Sequence, residues 1–164
     1  MQVGVIADTH DNVAAVEAAV ETFEQRGIDV LIHCGDYVAP PVVPYFEGFE
    51  LHGVLGNNDG DVDALDRTFR SVGGTLHGRF ADLTFDDTRF AVLHGEDRDE
   101  VDRLAASGKY DVVCYGHHHA AERGKIDGTT ILNPGAHFPT VPADHRSVAV
   151  VDAETGDVEV VAVG

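Results

Sequence analysis

Val3-Gly4-Val5-Ile6-Ala7-Asp8-Thr9-His10 is an apolar run that stops abruptly on a carboxylate and an imidazole. Such a run, bounded by polar residues, reads as a buried strand. The same figure recurs down the chain. Val30 to His33 is followed by Gly35-Asp36. Leu51 to Leu55 is followed by Gly56-Asn57-Asn58-Asp59. Phe90 to Leu93 leads into His94-Gly95, and Val112 to Tyr115 leads into Gly116-His117-His118-His119. Five successive runs thus end in an oxygen or imidazole donor, three of them through a glycine turn. If these strand ends converge on one rim, the donors gather into a single site.

The segments between the runs set the architecture. Asn12 to Gln25 has helical spacing, with Val13, Val16, Val20 and Phe23 on one face. Asp11 or Asn12 can cap it and Gly27 stops it. Asp61 to Ser71 predicts a second helix and Val101 to Ala106 a third. Leu83 to Phe85 and Phe90 to Leu93 flank Asp86-Asp87-Thr88 as a hairpin. Thr130 to Leu132 adds a strand, and Ser147 to Val151 and Val158 to Val163 straddle a Thr155-Gly156-Asp157 turn. Strand–helix alternation early and hairpins late predict an α/β fold with mixed sheets and helices outside. Val38 to Phe49, rich in proline and aromatic residues, is expected to pack on the core rather than line a pocket or a subunit contact. No repeat or linker interrupts the chain, so residues 1–164 are expected to form one domain.

Composition narrows the function classes. Asp and Glu number 29 against 11 Lys and Arg, a net charge of −18, and the lysines are Lys109 and Lys125 alone. A dispersed acidic surface suits high salt, where the Debye length shrinks to about 3 Å at 1 M. No basic stripe is present to track a phosphate backbone, so no dedicated nucleic-acid surface is expected. No apolar run nears the roughly 20 residues of a membrane span. Met1 to Ala7 lacks the basic flank and cleavage site of a signal peptide, so a soluble, cytoplasmic protein is expected. Cys34 and Cys114 lie in apolar runs and read as reduced core thiols.

A mixed carboxylate and imidazole set suits Mn, Fe or Zn better than Ca or Mg. Two divalent ions about 3.5–4 Å apart need a bridging carboxylate and can clamp the oxygens of a phosphoryl transfer. Each motif alone is weak, since Asp-x-His can be a cap and Gly-Asn-Asn-Asp a turn. Together and in order, Asp8-x-His10, Gly35-Asp36, Gly56-Asn57-x-Asp59, His94 and Gly116-His117-x-His119 resemble the calcineurin-like metallophosphoesterase superfamily. The short length and Asn133-Pro134-Gly135-Ala136 are similar to its small archaeal and bacterial YfcE-like phosphodiesterase branch.

The resemblance implies a four-layer α/β/β/α sandwich. It implies two divalent transition metal ions, manganese first, with nickel, cobalt, iron or zinc as alternatives. Asp8, His10 and His119 would bind one ion, Asp36 would bridge, and Asn57, His94 and His117 would complete the second. It implies hydrolysis of a small phosphate ester, most readily a phosphodiester, by a hydroxide held at this centre. Asp36, Asn57, Asn58 and His118 are the candidate catalytic groups. Many members carry histidine where this chain has Asn58, and asparagine cannot act as a general acid. His118, His137 or His52 could take that part, although a surface-loop role is the plainer expectation for His137. Two other readings compete. A retromer scaffold subunit resembles this branch but loses histidine ligands that are present here. Repair nucleases of the superfamily are longer, with DNA-binding parts for which this chain has no room. A homo-oligomer is compatible with the sequence.

Overall fold

The structure is a computed structural model that describes residues 1–164. The first half alternates β1 (Gln2–Ile6), α1 (Val13–Gln25), β2 (Val30–His33), β3 (Glu50–Gly53), α2 (Val62–Ser71) and β4 (Thr75–Leu76). The second half contains β5 (Phe80–Phe85), β6 (Thr88–Leu93), α3 (Arg98–Ala106), β7 (Val112–Cys114), β8 (Glu122–Ile126), β9 (Thr129–Asn133), β10 (Ser147–Asp152) and β11 (Val158–Ala162). They build a six-stranded sheet, β11-β10-β1-β2-β3-β4, and a five-stranded sheet, β5-β6-β7-β9-β8. β1 to β4 run parallel, as do β6, β7 and β9; the outer strands β5, β8, β10 and β11 pair antiparallel.

Two-residue alternation divides each strand between two cores. Val3, Val5, Val30 and Ile32 face the second sheet and pack on Phe90, Val92, Val112 and Cys114. Ile6, Leu31 and Leu51 face outward under Val16, Phe23, Leu65 and Phe69 of α1 and α2. On the far side, Ala91, Leu93, Val113 and Ile131 receive Val101 and Ala105 of α3. The layers are therefore α/β/β/α. Gly4 permits a tight seam, since a Cβ there would lie 2.5 Å from Leu31 and 2.7 Å from Phe23. Cys34 and Cys114 are buried free thiols in the inter-sheet core, as expected.

Sequence and structure part company at a few elements. β3 stops at Gly53, because Leu55 turns away to bond the Gly78 carbonyl. α3 starts at Arg98, earlier than its apolar spacing suggests: the Asp97 side chain caps it, and Asp99 and Glu100 favour the positive end of the helix dipole. β8 was not expected. Glu122-Arg123-Gly124-Lys125-Ile126 is a half-exposed edge strand with a single large apolar residue. Val38 to Phe49 holds a 3-10 helix over Pro40–Phe46 whose Val42, Val43 and Phe46 are fully buried, so it packs on the core.

Candidate metal centre

The C-terminal ends of β1, β2, β3, β6 and β7 meet on one rim, and the loops there are bolted to one another by backbone. In the first loop, the amides of Asp8, His10 and Asp11 donate to the carbonyls of Gly35, Asp36 and Tyr37. His33, fully buried beneath, joins the same two loops. Its Nδ1 accepts from Gly35 N–H at 3.1 Å, so Nε2 carries the proton and donates to Thr9 Oγ1 at 3.2 Å. Burial holds this imidazole well below its ordinary pKa and neutral. Gly35, at φ +96°, passes so close to Gly56 that a Cβ would stand 2.7 Å from its nitrogen.

Asp59 is the hub of the second and third loops. Its Oδ2 accepts from Asp36 N–H at 2.9 Å and Gly56 N–H at 2.8 Å, and its Oδ1 accepts from Val38 N–H at 2.8 Å. In the sequence Asp59 belongs to a motif, and nothing local to it shows the role it has here. Its one signal there is its place as the acid that ends Gly56-Asn57-Asn58-Asp59. On the second sheet, Gly116 is needed by contact: a Cβ would lie 2.6 Å from Asp8 Oδ2. Asp8 Oδ2 instead accepts from His117 N–H at 2.9 Å, and Asn133 Nδ2 donates to the Gly116 carbonyl at 3.0 Å.

Asp8, His10, Asp36, His117 and His119 all adopt left-handed backbone, with φ of 53°, 43°, 62°, 67° and 59°. This conformation is uncommon outside glycine and collects at functional sites. The turns aim the side chains inward. Asp8, His10, Asp36 and His119 each offer a ligand atom within 4.8 Å of the others. Asp8 Oδ1 lies 3.4 Å from His119 Nε2 and 4.0 Å from His10 Nε2, and Asp36 Oδ2 lies 3.2 Å from His10 Nε2. On the other side of Asp36, His94 Nε2 stands 3.4 Å from Oδ2, and Asn57 Oδ1 stands 3.2 Å from His117 Nδ1. His94 Nδ1–H donates to the Cys34 carbonyl at 2.8 Å, which turns Nε2 into the site. Asp8 Oδ1 and His94 Nε2 are buried without any hydrogen-bond partner.

Asn58 does not stand free. Its backbone N–H and its Nδ2 donate to the two oxygens of Asp36 at 3.0 and 2.8 Å. His118 is exposed, edge-on to the rings of His117 and Tyr115, and its ring nitrogens make no hydrogen bond. His52 lies away from this cluster, between Glu50 and His77. His137 is not a surface histidine: it is fully buried, and Nε2–H donates to the Ser147 carbonyl at 2.8 Å. The loop after Asn133 folds back so that His137 N–H reaches the Asp8 carbonyl at 3.0 Å, which carries the ring inside.

The electrostatics suit a cation. Burial pushes the Asp8 carboxyl up to about 7, against the pull of His94, and the nearby Asp36 charge raises it further. Burial also acts on Asp36, but the adjacent His94 ring and both Asn58 donors outweigh it and hold the carboxyl well below the usual range. Burial pulls His94 down, yet Asp36 and Asp8 together lift it to about 9. Two buried carboxylates sharing one imidazolium are compensated poorly without a metal, and a bound divalent cation would reverse the Asp8 shift.

The chain as a whole is matched among known proteins. Residues 1–156 match the calcineurin-like phosphoesterase superfamily domain. The chain belongs to that superfamily. The chain is similar to phosphodiesterase MJ0936 of Methanocaldococcus jannaschii, at 32% identity over 138 residues covering 82% of this chain and 83% of the relative. A solved archaeal phosphodiesterase superposes with a TM-score of 0.91 at 28% identity, covering both chains fully. The Escherichia coli phosphoesterase YfcE superposes at 0.68 with 19% identity, again over both full chains, which shows the shared fold. The superfamily's four-layer sandwich is thus the fold of this protein.

Proposed function

We propose that the chain is a phosphodiesterase working with two divalent cations. Asp8, His10, Asp36 and His119 would hold one ion, and Asp36, Asn57, His94 and His117 the other. The observation that carries this is the pair of unpartnered buried atoms, Asp8 Oδ1 and His94 Nε2, on either side of Asp36. Buried polar atoms are almost always satisfied, and an imidazole and a carboxylate oxygen left without partners beside Asp36 fit metal ligation. Manganese is the first candidate, with nickel, cobalt, iron or zinc next. When bound, such a pair supplies Lewis-acid charge to phosphoryl oxygens and lowers the pKa of water toward neutrality.

The chain's own groups do the positioning. Asn58 clamps both oxygens of Asp36 and so fixes the carboxylate between the two ligand sets. The Cys34 carbonyl keeps His94 in the tautomer whose Nε2 can ligate. Asn57 and Asn58 stand exposed at the rim, where amide groups can donate to a phosphoryl oxygen. His118, exposed with free ring nitrogens, is the rim group able to give a proton to a leaving alkoxide. The diester is chosen as substrate because the relative sharing 32% identity is a phosphodiesterase. The excess of 29 acids over 11 cations further supports a cytoplasmic protein of a high-salt cell.

The test is hydrolysis of bis-p-nitrophenyl phosphate and p-nitrophenyl phosphate by chelator-stripped protein given Mn, Ni, Co, Zn or Mg, at low and molar salt. Asp36→Ala and His117→Ala should abolish metal-dependent turnover, and the diester should be preferred. Absence of turnover in folded protein with every metal would overturn the proposal.

A further inference from the structure

We propose that Phe138 is the platform of a subsite that stacks a planar ring of the substrate, a nucleobase foremost, beside the metal centre. The inference rests on the phosphodiesterase reading and names the kind of ester group that site takes.

The Phe138 ring is half-buried at the rim. Its centroid lies 4.4 Å from that of His119, tilted 54°, and 5.3 Å from that of His10, tilted 44°. It therefore leans on two proposed ligands of one ion while keeping part of its surface open to solvent. The other end of the site, around Asn57, Asn58, His117 and His118, is polar. An ester group with a flat apolar face thus finds an apolar ring at the Phe138 end.

The ring is preorganised. His137 N–H is bonded to Asp8, the Asn12 amide donates to the His137 carbonyl, and the His137 ring is bonded to Ser147. One residue on, the Phe138 carbonyl accepts from Val141 N–H at 2.9 Å, closing a turn with Pro139 at its second position and Val141 buried. A platform fixed from both sides loses little entropy when a base stacks on it.

No deep pocket competes for the role. Cavities of about 500 Å³ lie elsewhere, one lined by Arg123, Lys125, Thr130 and Val158 and another by Ala121, Glu122, Glu159 and Val160. Neither includes a candidate ligand.

The test uses the absence of tryptophan from the chain. In Phe138→Trp, metal-loaded, the introduced indole reports on the subsite alone. Quenching by a nucleoside 5′-monophosphate at concentrations where ribose 5-phosphate has no effect supports stacking. Equal responses to both, or none, overturn it. In parallel, kcat/KM is measured for thymidine p-nitrophenyl phosphate and methyl p-nitrophenyl phosphate, which share a leaving group. Phe138→Ala and Phe138→Leu should lower the nucleoside-to-methyl ratio at least about fivefold, the lower end of what base stacking is worth. If both substrates fall alike, in step with weaker manganese binding by calorimetry, Phe138 only props His10 and His119 and the proposal fails. Should wild-type protein hydrolyse nothing, the phosphodiesterase reading falls, and the fluorescence titration still decides the stacking.

Discussion

Asp59→Ala would remove the group on which the second and third site loops are hung. Its carboxylate accepts from the backbone of Asp36, Val38 and Gly56, and it is buried. Alanine would leave these donors facing a cavity. Each unsatisfied buried donor costs about 1–3 kcal/mol, though neighbouring losses do not add fully and water can enter. Burial raises the Asp59 carboxyl in the folded state, so part of the loss is offset by no longer burying a charge. A net loss of roughly 3–4 kcal/mol is expected, and at about 2–4 °C per kcal/mol this lowers Tm by roughly 6–16 °C. Asp59→Asn keeps one acceptor and should fall between. Since Asp36 and Asn57 flank the hub, manganese affinity should drop about 10–100-fold in Asp59→Ala, the usual cost of a lost support behind a ligand. Thermal melts of metal-free protein and calorimetric metal titration read the two effects separately. A variant that melts within about 2 °C of wild type and binds manganese equally well would refute the assignment of Asp59 as the hub.

Three further outcomes follow from the site. First, metal should stabilise the protein more at pH 8 than at pH 6, measured as the Tm difference between manganese-loaded and chelated samples. The raised Asp8 pKa, about 7, costs the metal-free fold stability as pH climbs from its unfolded value through 7, and the stability His94 contributes is lost as pH rises through about 9. His117 and His119 are shifted down and act in the opposite sense, but metal binding itself strengthens as the ligands lose protons. Second, Gly116→Ala should fold yet bind manganese at least about tenfold more weakly, because its Cβ would press on Asp8 Oδ2 from 2.6 Å; unchanged calorimetric affinity counts against this packing argument. Third, His118→Ala should steepen the fall of kcat with rising leaving-group pKa, since Asn58 cannot donate a proton to the leaving oxygen and His118 is the remaining rim donor. Asn58→His should flatten that slope while weakening the clamp on Asp36, and an unaltered slope across a series of aryl diesters would dissociate position 58 from leaving-group expulsion.

The candidate ligands were legible because ligand chemistry is written in residue type, and their places at the ends of apolar runs are local features. The strands that carry them were legible for the same reason, being apolar on both faces. Asp59, His33 and His137 were not. Gly56-Asn57-Asn58-Asp59 reads as an ordinary turn until Asp36 and Val38, more than 20 residues away, bring their amides to it. His137 reads as a loop residue until its backbone is seen bonded to Asp8, 129 positions earlier in the chain (137 − 8). β8 escaped because an exposed edge strand needs no apolar alternation to pair with β9.

The same long-range bonds explain how the site tolerates its geometry. Left-handed backbone at Asp8, His10, Asp36, His117 and His119 costs on the order of 1 kcal/mol at each position. Nothing within each residue's own turn repays it. The return comes from neighbours: Gly35 and Asp36 carbonyls hold Asp8 and His10, Asp59 holds Asp36, and Asp8 Oδ2 holds the His117 amide. Each loop is thus fixed by another loop rather than by its own turn chemistry. Ligand positions are thus set by the backbone around them, and Asp8 Oδ1 and His94 Nε2 stand 3.8 Å apart without a hydrogen bond between them. A site whose scaffold is independent of its ion should lose metal without losing its fold, so chelated protein should keep its far-ultraviolet circular dichroism while its melting temperature falls.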